Sequence, residues 1–460
     1  MSRYLHLNVP VRHYTGISYD LNMTLGGPLL TACAIQAGHQ AIYLDAEALG
    51  YSEARTLQEI ERLEPDVLAM TVLTLSLHGV EQIARAVKAR WQDLYVVVGG
   101  PHAVADPEGT LATTGADCLI VGEAELEIGR IIQDRPRGIL SVRAPLDLDA
   151  LPRPAWEHSF PSIPHYQGNE PRFERPEACT LPMRGCPHAC SFCSLPLFQN
   201  ASLKPVDEPD RLQPRLHRST IRYQSAEKII EEWRWLKETY GVRHLFVYAD
   251  ELVGAYASQR DWLIPTMEAI ARANLGLTWK TQGRCNQRFI TQDQLDAMYA
   301  AGCRAIMWGV ESGSEKVNQA VHKGTHPADV LHTFRLAKRA GIRNWGYFMT
   351  GMPEETEADA ALTEALILAL CEEGLLDYRQ VTICTPEVNT PIWARAEREG
   401  WLPKRDPRNR WHYTPSDTPW MTAARVRYWR DRLATAGLQT QHRLSMNNVA
   451  YAQYAPGVPV

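Results

Sequence analysis

Arg184-Gly185-Cys186-Pro187-His188-Ala189-Cys190-Ser191-Phe192-Cys193 sets three thiols within eight residues, in C-x3-C-x2-C spacing, directly after a short apolar stretch. Thiols this close do not build a disulfide framework, but they can converge on one metal centre, as ligands of zinc or of an iron–sulfur cluster. Four cysteines normally complete a [4Fe–4S] cube, and this loop supplies three, so a cube held here keeps one iron open to an outside ligand. Zinc is the competing reading. It needs a fourth protein ligand, for which His188 or Cys179 is available, yet zinc loops more often pair Cys/His units at two places and no second unit stands out. Three unconnected core cysteines are the remaining alternative, and packing alone seldom sets three so near each other.

The loop follows the first strand of an α/β series. Strand-like runs at Ala178–Met183, Arg243–Tyr248, Leu277–Gln282, Ala305–Val310, Trp345–Thr350 and Val381–Thr385 alternate with amphipathic helical stretches at Ala226–Tyr240, Gln292–Ala301, Ala328–Ala340 and Ala358–Glu373. In the first helix Ile229, Ile230, Trp233 and Leu236 recur at helical spacing while Glu231, Glu232 and Lys237 face away. The strand–helix units predict an incomplete (β/α)6 barrel, with ligands at the carboxyl ends of its strands. Upstream, Tyr4–Val9, Gln40–Asp45, Asp66–Thr74, Leu94–Gly99 and Cys118–Val121 alternate with helical stretches in the same way and predict a doubly wound parallel sheet. Asp106 before Pro107 is a helix N-cap with proline at the first turn. The domain reading is therefore 1–145 for the doubly wound, Rossmann-type domain, 146–175 for a proline-bearing linker, 176–402 for the barrel and 403–460 for a small C-terminal cap.

Composition sets outer bounds. A chain of 460 residues with 45% hydrophobic and 22% charged residues has room for two or three cored domains and is not globally disordered. A net charge of −5, from 48 basic and 53 acidic residues, argues against nucleic acid held by bulk electrostatics. No apolar run spans a bilayer and no signal peptide is visible, so the expectation is a cytoplasmic enzyme without a membrane partner. The other cysteines, Cys33, Cys118, Cys179, Cys285, Cys303, Cys371 and Cys384, lie mostly in apolar stretches and read as core thiols.

The cysteine spacing, with an aromatic before its last member, resembles the cluster loop of the radical S-adenosylmethionine (SAM) enzymes, and about residues 20 to 400 resemble those members that carry an N-terminal B12-binding domain. The resemblance implies that Cys186, Cys190 and Cys193 hold a [4Fe–4S] cluster whose open iron is chelated by SAM, with Phe192 near the adenine. It implies that Glu311 and Ser312, in Gly309-Val310-Glu311-Ser312-Gly313-Ser314, meet SAM and that Arg284 pairs with its carboxylate; a helix N-cap at Ser312 or Ser314 and a surface arginine are the plainer readings. Gly351-Met352-Pro353-Glu354-Glu355-Thr356 matches a family turn and reads as structural, with Thr356 capping the next helix. In the N-terminal part, Val98-Gly99-Gly100-Pro101-His102 resembles the turn that approaches the cobalamin nucleotide tail, and Thr71-Val72-Leu73 loosely matches an S-x-L element, which makes Thr71, Leu73, Gly99 and Gly100 cobalamin contacts. A plain strand-to-helix turn explains the glycines equally well. No D-x-H-x-x-G element is present, so no histidine ligand for cobalt is indicated, and no G-x-G-x-x-G marks a dinucleotide site.

Asp250 and Glu251 end a strand where the family often has acidic residues, and with Tyr223 they are the catalytic candidates; solvated loop acids and a packing tyrosine are the alternatives. The family's P-x-P-G-T segment reads here Pro386-Glu387-Val388-Asn389-Thr390, with Asn389 in the glycine position. The tail aromatics Trp411, His412, Tyr413, Trp420, Tyr428 and Trp429 are expected to cap the barrel mouth. The resemblance implies an external electron donor (flavodoxin, ferredoxin or a dedicated reductase) and a radical that takes hydrogen from an unactivated carbon of a small molecule. The favoured outcome is cobalamin-assisted C-methylation of a natural-product intermediate in antibiotic biosynthesis. The first alternative is a cobalamin-independent lyase, like the radical SAM dehydratase of apramycin-type aminoglycoside pathways, and the second a non-catalytic cobalamin-binding or electron-transfer module.

Overall fold

In a computed structural model of the chain, residues 1–15, 24–145, 147–166, 173–198, 221–402 and 415–437 are described. Seven strands, β1 (Arg3–Asn8), β2 (Gln40–Asp45), β3 (Val67–Thr71), β4 (Tyr95–Gly99), β5 (Cys118–Val121), β6 (Gly138–Ser141) and β7 (Ser159–Phe160), form one parallel sheet in the order β6-β5-β4-β3-β1-β2-β7. Leu5, Leu7, Val96 and Val98 pack one face, and Tyr4, Ala69, Val97 and Ile120 the other. Both faces are buried under helices, as a parallel sheet requires. Asp106 caps its helix as expected, its Oδ1 accepting the Gly109 N–H. The short edge strand β6 went unread in the sequence. β7 arises within the stretch read as linker and pairs with Tyr43 and Leu44 of β2.

β8 (Glu177–Thr180) opens a second parallel sheet. A two-residue antiparallel pair, β9 (Met183–Arg184) and β10 (Arg222–Tyr223), stands beside it. Then follow β11 (His244–Val247), β12 (Thr278–Arg284), β13 (Cys303–Glu311), β14 (Arg343–Thr350) and β15 (Tyr378–Ile383), ordered β15-β14-β13-β12-β11-β8. Six strands in chain order, connected through helices, give an open, partial (β/α)6 barrel. Ser225 caps the helix Ala226–Tyr240, whose bounds match the sequence reading. A further helix, Arg260–Ala273, carries Pro265 inside it, which hid its periodicity. Of the tail, Trp411, His412 and Tyr413 lie outside the described residues; Trp429, on the helix Ala423–Thr435, joins the barrel's outer core beside Val381.

Alternation decides which side chains enter the barrel. Trp279 and Trp308 point outward, against Trp233 and Phe334 of the helices. Lys280 points the other way, is fully buried, and meets Glu177 of β8 at 2.8 Å. His244 lies stacked on Phe173 at 3.9 Å, with Nδ1 2.8 Å from Thr278 Oγ1. Burial, with Lys280 and Arg343 nearby, pushes its pKa far down, so the ring is neutral. This layer closes the amino-terminal floor of the barrel. Because Glu177 would be left buried without its cation, Lys280→Ala should cost about 3–5 kcal/mol. Lys280→Met combined with Glu177→Gln should recover most of that loss in thermal-unfolding midpoint; equal midpoints for wild type and Lys280→Ala would show the pair to be idle.

Candidate cofactor sites

The cysteine loop leaves β9 through Gly185, whose φ of 110° suits only glycine. The Gly185 N–H is held by Asp250 Oδ2 at 2.6 Å. Farther along, Ser191 N–H donates to Val321 O at 2.9 Å and Ser191 O accepts from Ile392 N–H at 3.1 Å, and Phe192 packs against the apolar cluster that includes Val317, Met352 and Ile392. Cys190 is buried, Cys186 and Cys193 half-buried. Burial pushes the Cys193 thiol up to about 12 and the Cys186 thiol well above its ordinary value. Lys323 works against this at Cys193 and also sits near Cys190, and a second buried cation, Arg284, has Nη1 3.7 Å from Cys190 Sγ. Three thiols with two cations behind them suit a group that carries negative charge on sulfur. Among the described residues no three His, Cys, Asp or Glu side chains are placed to hold a single metal ion. Cys179 lies in the core, and His188 stays neutral, its pKa lowered to about 3 by burial, Arg284 and Lys323.

Glu311 ends β13 at a register shift, with φ 64°, a strained value for a non-glycine residue at a strand end. Its Oε1 accepts from Lys323 Nζ at 2.8 Å. Burial opposes the Lys323 charge, yet Glu311, Cys190 and Glu251 outweigh it and hold the ammonium firmly protonated. Lys323 was missed in the sequence, where a lysine before Gly324 looks like a turn residue. Glu251 is buried with its Oε2 4.0 Å from Cys186 Sγ and its Oε1 without a hydrogen-bond partner among the described residues. Burial raises its pKa to about 7 against the pull of Lys323 and Arg284.

Some expected contacts are used elsewhere. The Ser312 hydroxyl bonds Thr363 Oγ1 at 3.2 Å and accepts the Ser314 N–H at 3.0 Å, while Ser314 caps the following helix; Ser312 braces the turn. The Tyr223 ring stacks on Trp262 at 4.2 Å and its hydroxyl meets Tyr256 at 2.9 Å. Thr356 forms a capping box with Asp359. Asn389 adopts φ 60°, a left-handed conformation that asparagine enters more readily than other non-glycine residues, so the glycine position of P-x-P-G-T keeps a left-handed residue.

The carboxyl ends of the two sheets face each other across a cavity of about 420 Å³, lined by Thr71, Gly99 and Gly100 on one side and Cys193, Ser194 and Asp250 on the other. Leu73 is 46% exposed and does not line it. Gly100 has φ 107°, and a Cβ there would come within 2.9 Å of Thr71 Cγ2, so the turn itself demands glycine; Gly99 has room for one, 3.6 Å from Ile120. A knot of buried charge spans the same gap. Arg222 Nη2 meets Glu123 Oε1 at 2.6 Å, and Arg184 bonds Glu123 and, at 2.8 Å, Glu125. Burial alone would raise the Glu123 pKa, but Arg222 and Arg184 win and set it below the usual carboxylate range.

Residues 18–132 match the B12 binding domain and residues 180–367 the Radical SAM superfamily. The chain is a radical SAM enzyme with an N-terminal B12-binding domain. Its two domain types imply a [4Fe–4S] cluster and SAM, and support cobalamin. It is 24% identical over 403 residues to an uncharacterized methyltransferase of Pyrococcus horikoshii, a match covering 81% of this chain and 79% of that protein. To the cytidylyl-2-hydroxyethylphosphonate methyltransferase of Streptomyces wedmorensis it is 21% identical over 351 residues, covering 66% of this chain and 61% of the relative. Among solved structures, the radical SAM methyltransferase TsrM of Kitasatospora setae, with cobalamin and a [4Fe–4S] cluster bound, shares the fold with TM-score 0.66 at 14% identity, over 96% of this chain and 90% of that one. The cobalamin-dependent radical enzyme OxsB, with aqua-cobalamin and SAM bound, gives TM-score 0.67 at 14% identity, over 94% and 66%. Among the described residues of this radical SAM enzyme no helix is long and apolar enough to cross a membrane.

Glu123 has a depressed pKa in the fold, so its stabilisation is full above the ordinary glutamate range and is lost as pH falls through and below about 4.3. Glu123→Gln should forfeit it at every pH, costing about 3–5 kcal/mol near neutrality by leaving Arg184 and Arg222 short of a counter-charge. Thermal midpoints of the apoprotein at pH 7 and pH 4 check this; the variant should show the smaller drop.

Proposed function

We propose that this radical SAM enzyme is a cobalamin-assisted C-methyltransferase acting on a small-molecule, natural-product substrate. One observation carries the reading: a single cavity is lined both by the strand ends Thr71, Gly99 and Gly100 of the B12-binding domain and by the cysteine loop at Cys193. A corrinoid seated between them stands next to the loop, as transfer of a methyl group demands. The names borne by the relatives, methyltransferases among them, support the same reading.

Bound together, the cluster, SAM and cobalamin supply reductive cleavage of SAM, hydrogen abstraction and methyl transfer. The chain supplies placement. Cys186, Cys190 and Cys193 hold the cluster, and Arg284 and Lys323 balance the charge on its sulfurs. Glu311, held by Lys323 in its strained turn, presents the carboxylate that orients SAM, while Phe192 borders the adenine. Asp250 fixes the start of the loop through the Gly185 amide, and Glu251 keeps an acceptor oxygen free beside Cys186. An external reductant delivers the electron.

Anaerobic, reduced enzyme given hydroxocobalamin and methyl-labelled SAM should form S-adenosylhomocysteine only when cobalamin is present. It should form 5′-deoxyadenosine as well, and Cys186→Ala should abolish the latter. SAM turnover to 5′-deoxyadenosine alone, indifferent to cobalamin, would instead assign a cobalamin-independent radical deoxygenation.

A further inference from the structure

The cavity wall where the two domains meet carries more acid than base. Among the described residues that line it, the charged ones are three carboxylates, Glu123, Glu125 and Asp250, and two guanidiniums, Arg184 and Arg222. His6, on the same lining, is kept neutral by burial. Both arginines are already committed. Arg222 Nη2 meets Glu123 Oε1, and its Nη1 reaches Glu123 Oε2 at 3.0 Å and the Pro145 carbonyl at 2.6 Å. Arg184 bonds Glu123 through Nη1 and Glu125 Oε1 through Nη2. One negative charge is left over, beside a lining that is otherwise largely apolar, with Leu30, Val97, Ile120 and Phe198 in it.

Two oxygens carry the surplus. The Glu125 side chain is only 9% exposed, and its Oε2 is buried with no hydrogen-bond partner among the described residues. Asp250, just past β11, is exposed on the same wall and spends Oδ2 on the Gly185 amide. Arg184 and Gly185 are consecutive, so one dipeptide anchors an oxygen of each acid, through its guanidinium and its amide. The second oxygen of each is left without a protein partner among the described residues. A buried carboxylate oxygen in that state is costly. An ammonium group supplies N–H donors and the missing charge together, whereas the carboxamides of a corrinoid offer N–H groups and no charge.

Resting on the methyltransferase reading above, we infer that the substrate is an aliphatic amine, bound as its ammonium ion by Glu125 and Asp250. Cys193 and Ser194 line the same cavity, so the ammonium anchors the substrate beside the cysteine loop. Its charge brings the wall to neutrality, and the apolar lining takes the carbon frame. Glu311 and Lys323 pair with each other and do not line this cavity, so SAM and the amine are served by different carboxylates.

Two matched probes test this on the full anaerobic chain with its cluster in place, with and without hydroxocobalamin. Cyclohexylamine is an ammonium ion at neutral pH, and cyclohexanol is the same ring without the charge. By titration calorimetry at low salt, wild type should bind the amine about tenfold more tightly, the effect of one hydrogen bond between charged groups. Glu125→Gln and Asp250→Asn each keep the acceptor used by Arg184 or Gly185, and each should bring the two probes to equal affinity. Corrinoid uptake and SAM affinity of Glu125→Gln should match wild type. Equal binding of the probes by wild type, or a preference that survives in both variants, overturns the amine site. Loss of corrinoid uptake or of SAM affinity in Glu125→Gln overturns it as well, since the free oxygen then belongs to that cofactor. Failure of wild type to take up hydroxocobalamin overturns the cobalamin reading alone, because the probe preference is also read without it.

Discussion

Glu123 is buried between two arginines that come from the strand pair beside the second sheet. A carboxylate taken out of water must keep its counter-charges, since losing one partner leaves an uncompensated buried ion. Glu123 stands just past β5, Arg184 ends β9 and Arg222 begins β10, so the pairings hold the carboxyl ends of both sheets against each other. Arg184 also immediately precedes Gly185 and Cys186. Docking of the two domains and the start of the cysteine loop therefore share a residue. A second tie, Thr74 to Glu387 at 2.9 Å together with Asn389 to the Ala105 carbonyl, joins the same two ends elsewhere.

That closure explains why one cavity serves both halves. Each sheet presents its strand ends, where open α/β folds bind ligands, and the charge knot makes the two presentations face to face. On the barrel side, strain at Glu311 and the packed cations Lys323 and Arg284 give a preset electrostatic environment beside Cys190. On the other side, small residues and the Gly100 turn open the slot. The barrel floor, sealed by Glu177, Lys280 and His244, leaves the carboxyl end as the working end.

Much of the fold was legible where periodicity was strong. β2, β5 and the helix Ala226–Tyr240 fall where alternation, helical spacing and the Ser225 cap place them. Pro265 concealed the helix Arg260–Ala273, and β6 and β7 are too short to show a pattern. The cysteine loop was readable because its ligands are contiguous. Lys323 and the arginine knot were not, since Arg222 and Glu123 lie 99 residues apart and only folding pairs them. Ser312 and Tyr223 had the right neighbourhood in sequence, but their hydroxyls are taken by Thr363 and Tyr256, which no local pattern reveals.

The central claim is that cluster and corrinoid occupy opposite walls of one cavity. Pulsed electron paramagnetic resonance on protein loaded with both, with the cluster reduced and the cobalt in its paramagnetic divalent state, measures their separation directly. A strong dipolar coupling with one narrow, short distance is the predicted result. Two uncoupled signals, or a broad spread of long distances, would contradict it.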